Sequence, residues 1–585
     1  MPIQQSPKQH YDVVIIGAGM AGLTLSRQLL LYTNKSILLI DKRMNPPEEA
    51  PQKYGESLVQ LSGYYLSKVL DLEEHLLVNH FLKYNLRFHW PTPGLDNKSY
   101  EDYSQSSIRR QSNLATFQID RNIIEKHLFE INTANDRMDF VGGTYGTEVD
   151  LNPQGNHAVR WEGGTTTCTW VVDASGRQRV IQKQMDLQSK NQIRHGSTFF
   201  WVDGLLNVER LTGRTHEEFL YDRRRQKVGH FPMFLGTNHF CAEGQWLWII
   251  PLHGKTSIGL VYDRNVVPFE EVENTQKVIE YICKKWPVFA RDLPKRKVLA
   301  EGRLPSYSYD CKQTISAERW AMVGEAGRFS DPLYSPGSDL ITLYNTQVVH
   351  AIQAGDDAER AARCELAEQI ERVMYESYIP SYSITYNCLG DQEAFSMKYT
   401  WELAVYFCFY VVPAISGLWT NREFMVPFLK RYGVLGSINH SVQKMLSAYY
   451  DWKKLQPMPA AYTPRFFDFY EMKPLDDAEK LFYQAGLTPK EAIGVIDGHM
   501  ERLEEFARYI IAHIHAAVLG EPKLLLNGAF LKQMKIRKAV FDPEAMRQSY
   551  APFADSMEMH QWNLNPFALE QFLGDTMSEK EMLTK

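Results

Sequence analysis

The segment DVVIIGAGMAGLTLSRQLLLYTNKSILLID, residues 12–41, decides the fold. Asp12–Ile16 is a continuous apolar run of buried-strand length, and Ile37–Ile40 is a second. Ala21–Leu31 between them has helical spacing, so the order is strand, turn, helix, strand, the unit that opens a doubly wound sheet. The turn reads Gly17-Ala18-Gly19-Met20-Ala21-Gly22. Glycine at 17 permits the tight turn, Gly19 lets the backbone approach a diphosphate, and Gly22 lets the helix close on the strand. The N–H groups around Met20 and Ala21 then face that diphosphate at a positive helix end. Asp41, about 20 residues on, stands where an acidic residue accepts ribose hydroxyls, with Lys42 and Arg43 beside it. This motif marks a dinucleotide site without choosing between FAD and NAD.

Two later segments choose. Trp170-Val171-Val172-Asp173-Ala174-Ser175-Gly176-Arg177 is an apolar strand ending in Asp-Ala-Ser-Gly. Ala321-Met322-Val323-Gly324-Glu325-Ala326-Gly327 is another, followed by Asp331-Pro332. A flavin dinucleotide lies extended, so a distant acidic residue, Glu325, has hydroxyls to meet on the far side of the sheet. A nicotinamide-only domain has no use for it. The expected cofactor is FAD.

The rest of the chain sets the frame. At 585 residues it exceeds what one hydrophobic core supports. The predicted fold class is α/β, with a discontinuous Rossmann-like FAD domain over 1–135 and 300–350. A mostly antiparallel β-sheet substrate domain is expected over 136–299, with the Asp-Ala-Ser-Gly strand returning to the FAD domain. Residues 351–585 are expected to be helical. Phe466, Phe467, Phe469 and Tyr470 read as core or pocket wall, and the polar stretch Gly94–Asn113 reads as a surface loop. A net charge of −6, from 64 basic and 70 acidic residues, argues against nucleic acid; Arg223-Arg224-Arg225 reads as a solvated turn. The apolar run Leu403–Trp419 is short for a membrane span and holds Pro413, so a buried helix is expected and a membrane partner is not. Seven dispersed cysteines without metal-ligand spacing, and a first segment MPIQQSPKQHYD without a signal pattern, read as a cytoplasmic protein with reduced thiols and no metal site.

Four pieces resemble the flavin-dependent halogenases, a branch of the aromatic-hydroxylase-like monooxygenases. They are GAGMAG at 17–22, Gly55-Glu56-Ser57, Trp246-Leu247-Trp248-Ile249-Ile250-Pro251, and GEAGRFSDPLYSPG at 324–337. The resemblance covers about residues 10–350. It implies that Trp246 and Trp248 keep substrate away from the flavin, which suppresses ordinary hydroxylation. It implies that Lys83, in Phe81–Trp90, guides a hypohalous acid made from reduced flavin, oxygen and halide; an ammonium can hydrogen-bond that acid or carry the halogen as a haloamine. Glu56, Ser57, Arg121, Asp173, Gly176, Gly324, Glu325, Asp331, Pro332 and Gly337 are implied in binding FAD. The halide is implied at the turn Tyr334-Ser335-Pro336-Gly337-Ser338, with Ser335 beside it. The substrate is implied to be an electron-rich aromatic of phenol or pyrrole type, free or carrier-bound, and reduced flavin to come from a separate reductase.

Two departures weigh on the halide. Proline has no N–H, so Pro336 removes a donor where the family has serine or threonine. A hydrogen bond to an anion is worth about 1.5–3 kcal/mol. Glu325 also stands where aspartate is usual. A monooxygenase or oxidase that keeps this frame without halide, and a flavoprotein reductase or desaturase, are therefore alternatives.

Overall fold

His10–Ile16 and Ile37–Asp41 pair in parallel, with Ile16 opposite Ile40, and the apolar residues of both strands are buried. The computed structural model describes residues 8–49, 51–220, 232–457, 463–484, 486–565 and 567–573; Arg223-Arg224-Arg225 lies outside them. The first sheet runs Ile315–Ser316, Trp320–Met322, Gly164–Asp173, His10–Ile16, Ile37–Asp41, Met138–Gly142. Asp173 lies between Ile16 and Met322, so both Gly-acid segments end at the same sheet edge as the glycine turn. The helix Met20–Tyr32 packs between Arg121–Thr133 and Pro336–Ile352.

The second sheet runs Val298–Leu304, His195–Asp203, Lys255–Asp263, Gln245–Leu252, Thr237–Ala242, Leu86–Pro91, Tyr103–Ser107, Phe466–Asp468. Its pairing divides the chain differently from the expected boundaries. Met138–Gly142 and the Glu148–Trp161 hairpin pair in the first sheet, while Leu86–Pro91 and Tyr103–Ser107 pair in the second.

Tyr103–Ser107 corrects the expectation of a surface loop at Gly94–Asn113: all five residues are buried. Ser106 shares a hydrogen bond of 3.1 Å with Ser396, and Gln392 donates to the Gln105 carbonyl at 2.9 Å. Polar side chains enter a core once their hydrogen bonds are met, so composition alone misreads such a strand.

Long helices dominate the last third: Asp357–Ser383, Gln392–Tyr406, Arg422–Lys453 and Pro489–Leu519. The run Leu403–Trp419 leaves the second of these through a buried π-helical turn, Phe407–Val411, as the buried-helix reading expects. Among the described residues no helix is long and apolar enough to cross a membrane.

Candidate active site: a cofactor cleft joined to an aromatic cavity

The glycine turn shows what each position must allow. Gly17 has φ +115°, and a Cβ there would lie 2.5 Å from the Ala174 carbonyl oxygen. A Cβ at Gly22 would lie 2.0 Å from the Gly17 carbonyl oxygen, so helix and strand touch through this residue. A Cβ at Gly19 would meet no protein atom within 4 Å. Space is thus kept at the one glycine expected to face a diphosphate. Asp41 accepts from the Ala18 N–H at 2.8 Å and from Arg43 at 2.9 Å, while Lys42 is exposed. Gly324 seats the far motif on this turn, since an added Cβ would lie 3.0 Å from that of Ala21.

A cleft of about 130 Å³ continues from there between the two sheets. Glu56, Ser57, Arg121, Glu325, Pro332, Ser335 and Gly337 all line it. Arg121 starts its helix from inside the protein, donating to the Tyr54 carbonyl at 2.8 Å and to Glu125 at 2.9 Å. Ser57 shares a hydrogen bond of 2.8 Å with Thr237. Glu56 accepts from the Trp201 indole at 2.9 Å, and burial pushes its carboxyl up to about 7. Burial also raises Glu325, which accepts from the Tyr54 hydroxyl at 3.2 Å.

Two expected cofactor residues turn inward instead. Asp173 caps the N–H groups of Ser175 and Ile181, and Gly176 beyond it has φ +60°. Asp331 accepts from the Tyr307 hydroxyl and meets His195 Nδ1, both at 2.6 Å. Both carboxylates shape the turns that carry the site.

Trp246 and Trp248 line the cleft from one face of a fully buried strand, their rings 5.9 Å apart. Their indoles donate to the Tyr386 hydroxyl at 2.7 Å and to Ser257 at 3.0 Å, which fixes both rings. Opposite runs the turn 331–338. Tyr334 and Ser335 have φ +70° and +59°, a strained conformation for two successive non-glycine residues. The Ser335 N–H is bonded to the Pro332 carbonyl at 2.9 Å. Pro336 then begins the helix, where its missing N–H costs the helix nothing.

Beyond this turn lies a second cavity of about 370 Å³. Lys83 is buried in its wall at 2 % exposure and donates to the Leu58 carbonyl at 2.6 Å. Burial brings its ammonium down to about 7. Tyr334 faces this cavity and Ser335 the cleft, so the two spaces are one peptide apart. Five further tyrosines line it: Tyr378, Tyr399, Tyr406, Tyr410 and Tyr432. Phe466, Phe467, Phe469 and Tyr470 do not; they serve the sheet edge and core. Sequence reasoning missed Asp339, a carboxylate on the cavity wall in the first turn of the helix after Ser335. The signal was an acidic residue two places past the matched GEAGRFSDPLYSPG segment.

No family model matches the chain. It is 26% identical over 438 residues to the flavin-dependent halogenase chlA of Dictyostelium discoideum, covering 70% of this chain and 71% of that protein. The chain is a relative of the flavin-dependent halogenases. It is 24% identical to the tetracycline 7-halogenase of Kitasatospora aureofaciens, over 61% of this chain and 67% of that one. The halogenase PltM, solved with phloroglucinol and FAD, superposes with a TM-score of 0.57 at 16% identity, over 85% of this chain and 96% of that one. The chain is an FAD-dependent oxidoreductase, and the open space at Gly19, the Gly324–Ala21 contact and the cleft beyond them fit that cofactor.

Proposed function

We propose that this chain is a halogenase that uses reduced FAD, oxygen and halide to halogenate an electron-rich aromatic of phenol or pyrrole type, free or carrier-bound. One observation carries the reading: a buried lysine stands in the wall of an aromatic-lined cavity, beyond a cofactor cleft lined by two fixed tryptophans. Bound and reduced, FAD supplies hypohalous acid from oxygen and halide. Glu56, Ser57, Arg121 and Glu325 hold it along the cleft, and the Gly17–Gly22 turn and Asp41 hold its adenosine half. Trp246 and Trp248 keep the aromatic ring from the flavin. Gly337 and Ser338, whose N–H groups have no partner four residues back in their helix, face the halide past Pro336. Lys83 spends one of three N–H donors on Leu58 and turns the others to the acid. With its ammonium near 7, part of it is a free amine at neutral pH, as a haloamine requires.

Reduced flavin comes from a separate reductase, and the seven unpaired cysteines suit the cytoplasm. The test is product mass spectrometry with FAD, a flavin reductase, chloride or bromide, and candidate aromatics. A halogenated product is expected. A second reading, oxygen transfer on the same frame, rests on Pro336; an oxygenated product formed in halide-free buffer would establish it instead.

A further inference from the structure

We propose that Asp339 is the base that takes the proton of a phenolic hydroxyl on the substrate, so that this site acts on phenols and not pyrroles. The inference rests on the halogenase reading above.

Three carboxylates line the aromatic cavity, and they differ. Glu376 is exposed. Glu402 is bridged to Lys398 at 2.6 Å and accepts from Gln443 at 2.8 Å. Asp339 is buried at 2 % exposure, with no cation within bonding distance among the described residues. One of its oxygens accepts from the Ser62 N–H at 3.0 Å and the other from the Tyr406 hydroxyl at 2.8 Å. A carboxylate has about four lone-pair sites, so each oxygen keeps one. The first turn of a helix favours the ionised form, while burial pushes the group up to about 7. The charged and titratable groups facing it are Lys83, Tyr406, Tyr378 and Tyr382. Lys83 is the cation among them. A base of this strength opposite an ammonium suits an O–H acid near 10. A pyrrole N–H is far weaker and needs no base for halogenation.

The step balances. The phenolic O–H breaks and its proton passes to Asp339. The ring carbon then forms a bond to the halogen of hypohalous acid, and the halogen–oxygen bond breaks. The leaving hydroxide takes a proton from Lys83 to become water. The ring C–H proton returns to Lys83, and the phenolate recovers its proton from Asp339. Phenol and hypohalous acid have become halophenol and water.

The holoenzyme is tested with a flavin reductase, NADH and bromide. Phloroglucinol, 1,3,5-trimethoxybenzene and pyrrole-2-carboxylate are the acceptors, and a dissolved thioether traps free hypobromous acid. Wild-type turnover of phloroglucinol should pass through a maximum near pH 7, its falling limb set by loss of the Lys83 ammonium and its rising limb by ionisation of Asp339. Asp339→Asn should lower it by about 10²–10⁴ and abolish the rising limb, with Asp339→Glu restoring part of both. FAD content and trapped hypobromous acid should not change, which shows that the variant folds. Equal turnover in Asp339→Asn, an equal loss of trapped acid, or a wild-type preference for trimethoxybenzene or the pyrrole overturns the proposal and leaves the halogenase reading standing. A wild type that releases no hypobromous acid and halogenates nothing removes both.

Discussion

The cofactor cleft and the aromatic cavity meet at Tyr334 and Ser335, yet they are built by different means. The glycine turn that opens the cofactor site is backbone work, with clearances set at Gly17, Gly19 and Gly22. The cavity is side-chain work: a lysine from the loop before Leu86–Pro91, an aspartate from a helix start, and tyrosines from three long helices and the π-helical turn Phe407–Val411. Backbone clearance tolerates one residue type and recurs wherever the same cofactor is bound. A side-chain wall accepts many substitutions, so it is where substrate choice is made. Damage to the first should therefore remove the cofactor, and damage to the second should spare the cofactor and change the chemistry.

The sharpest contrast lies within the glycine turn. Gly19→Ala should give a folded protein without FAD, because its Cβ meets no protein atom and only the diphosphate. Gly22→Ala should lose FAD together with about 1–3 kcal/mol of stability, since its Cβ drives into the Gly17 carbonyl. Thermal melts alongside flavin absorbance separate the two. Stoichiometric FAD in Gly19→Ala would break the comparison on the cleft side.

The next effect belongs to the cavity. Lys83→Ala should keep FAD and lose product formation by about 10²–10³, the usual cost of a positioned donor. Loss of flavin in that variant would show that the two regions are not separable.

A smaller effect tests electrostatics at the cleft. Burial lifts Glu56 from 4.5 to about 7, so the unfolded chain ionises first as pH rises. The stability this group gives is complete below about pH 4.5 and falls as pH climbs to about 7, by a few kcal/mol. Glu56→Gln should flatten that slope in denaturant titrations across the same window. An unchanged slope would assign it elsewhere.

The smallest concerns the shared turn. Pro336→Ser adds one N–H at the helix start, so half-saturating halide should fall by about tenfold or more, while stability drops about 0.4–1 kcal/mol. A rise in the halide requirement would show that the rigid turn matters more than the extra donor.

What was legible follows the same division. GAGMAG, the paired tryptophans and Lys83 stand in local patterns, and each lines or shapes the site. Asp339 and Tyr406 carry no pattern, because their meaning arises only when residues 62, 83, 339 and 406 converge through the fold. Asp331 sits in a matched motif but turns inward to His195 and Tyr307, so motif membership named the segment and not the direction of the side chain. Tyr103–Ser107 was misread because its hydrogen-bond partner Gln392 lies in another region of the chain.

The outermost strand of the second sheet, Phe466–Asp468, bears on how the chain is made. It pairs with Tyr103–Ser107, whose own partner Leu86–Pro91 leaves the ribosome early. Until residue 468 of 585 has emerged, that sheet ends in an unpaired strand edge, the kind that recruits other chains. Nascent chains and chains truncated before residue 466 share this exposed edge, so self-association should mark both and cease in the nascent chain once those three residues dock.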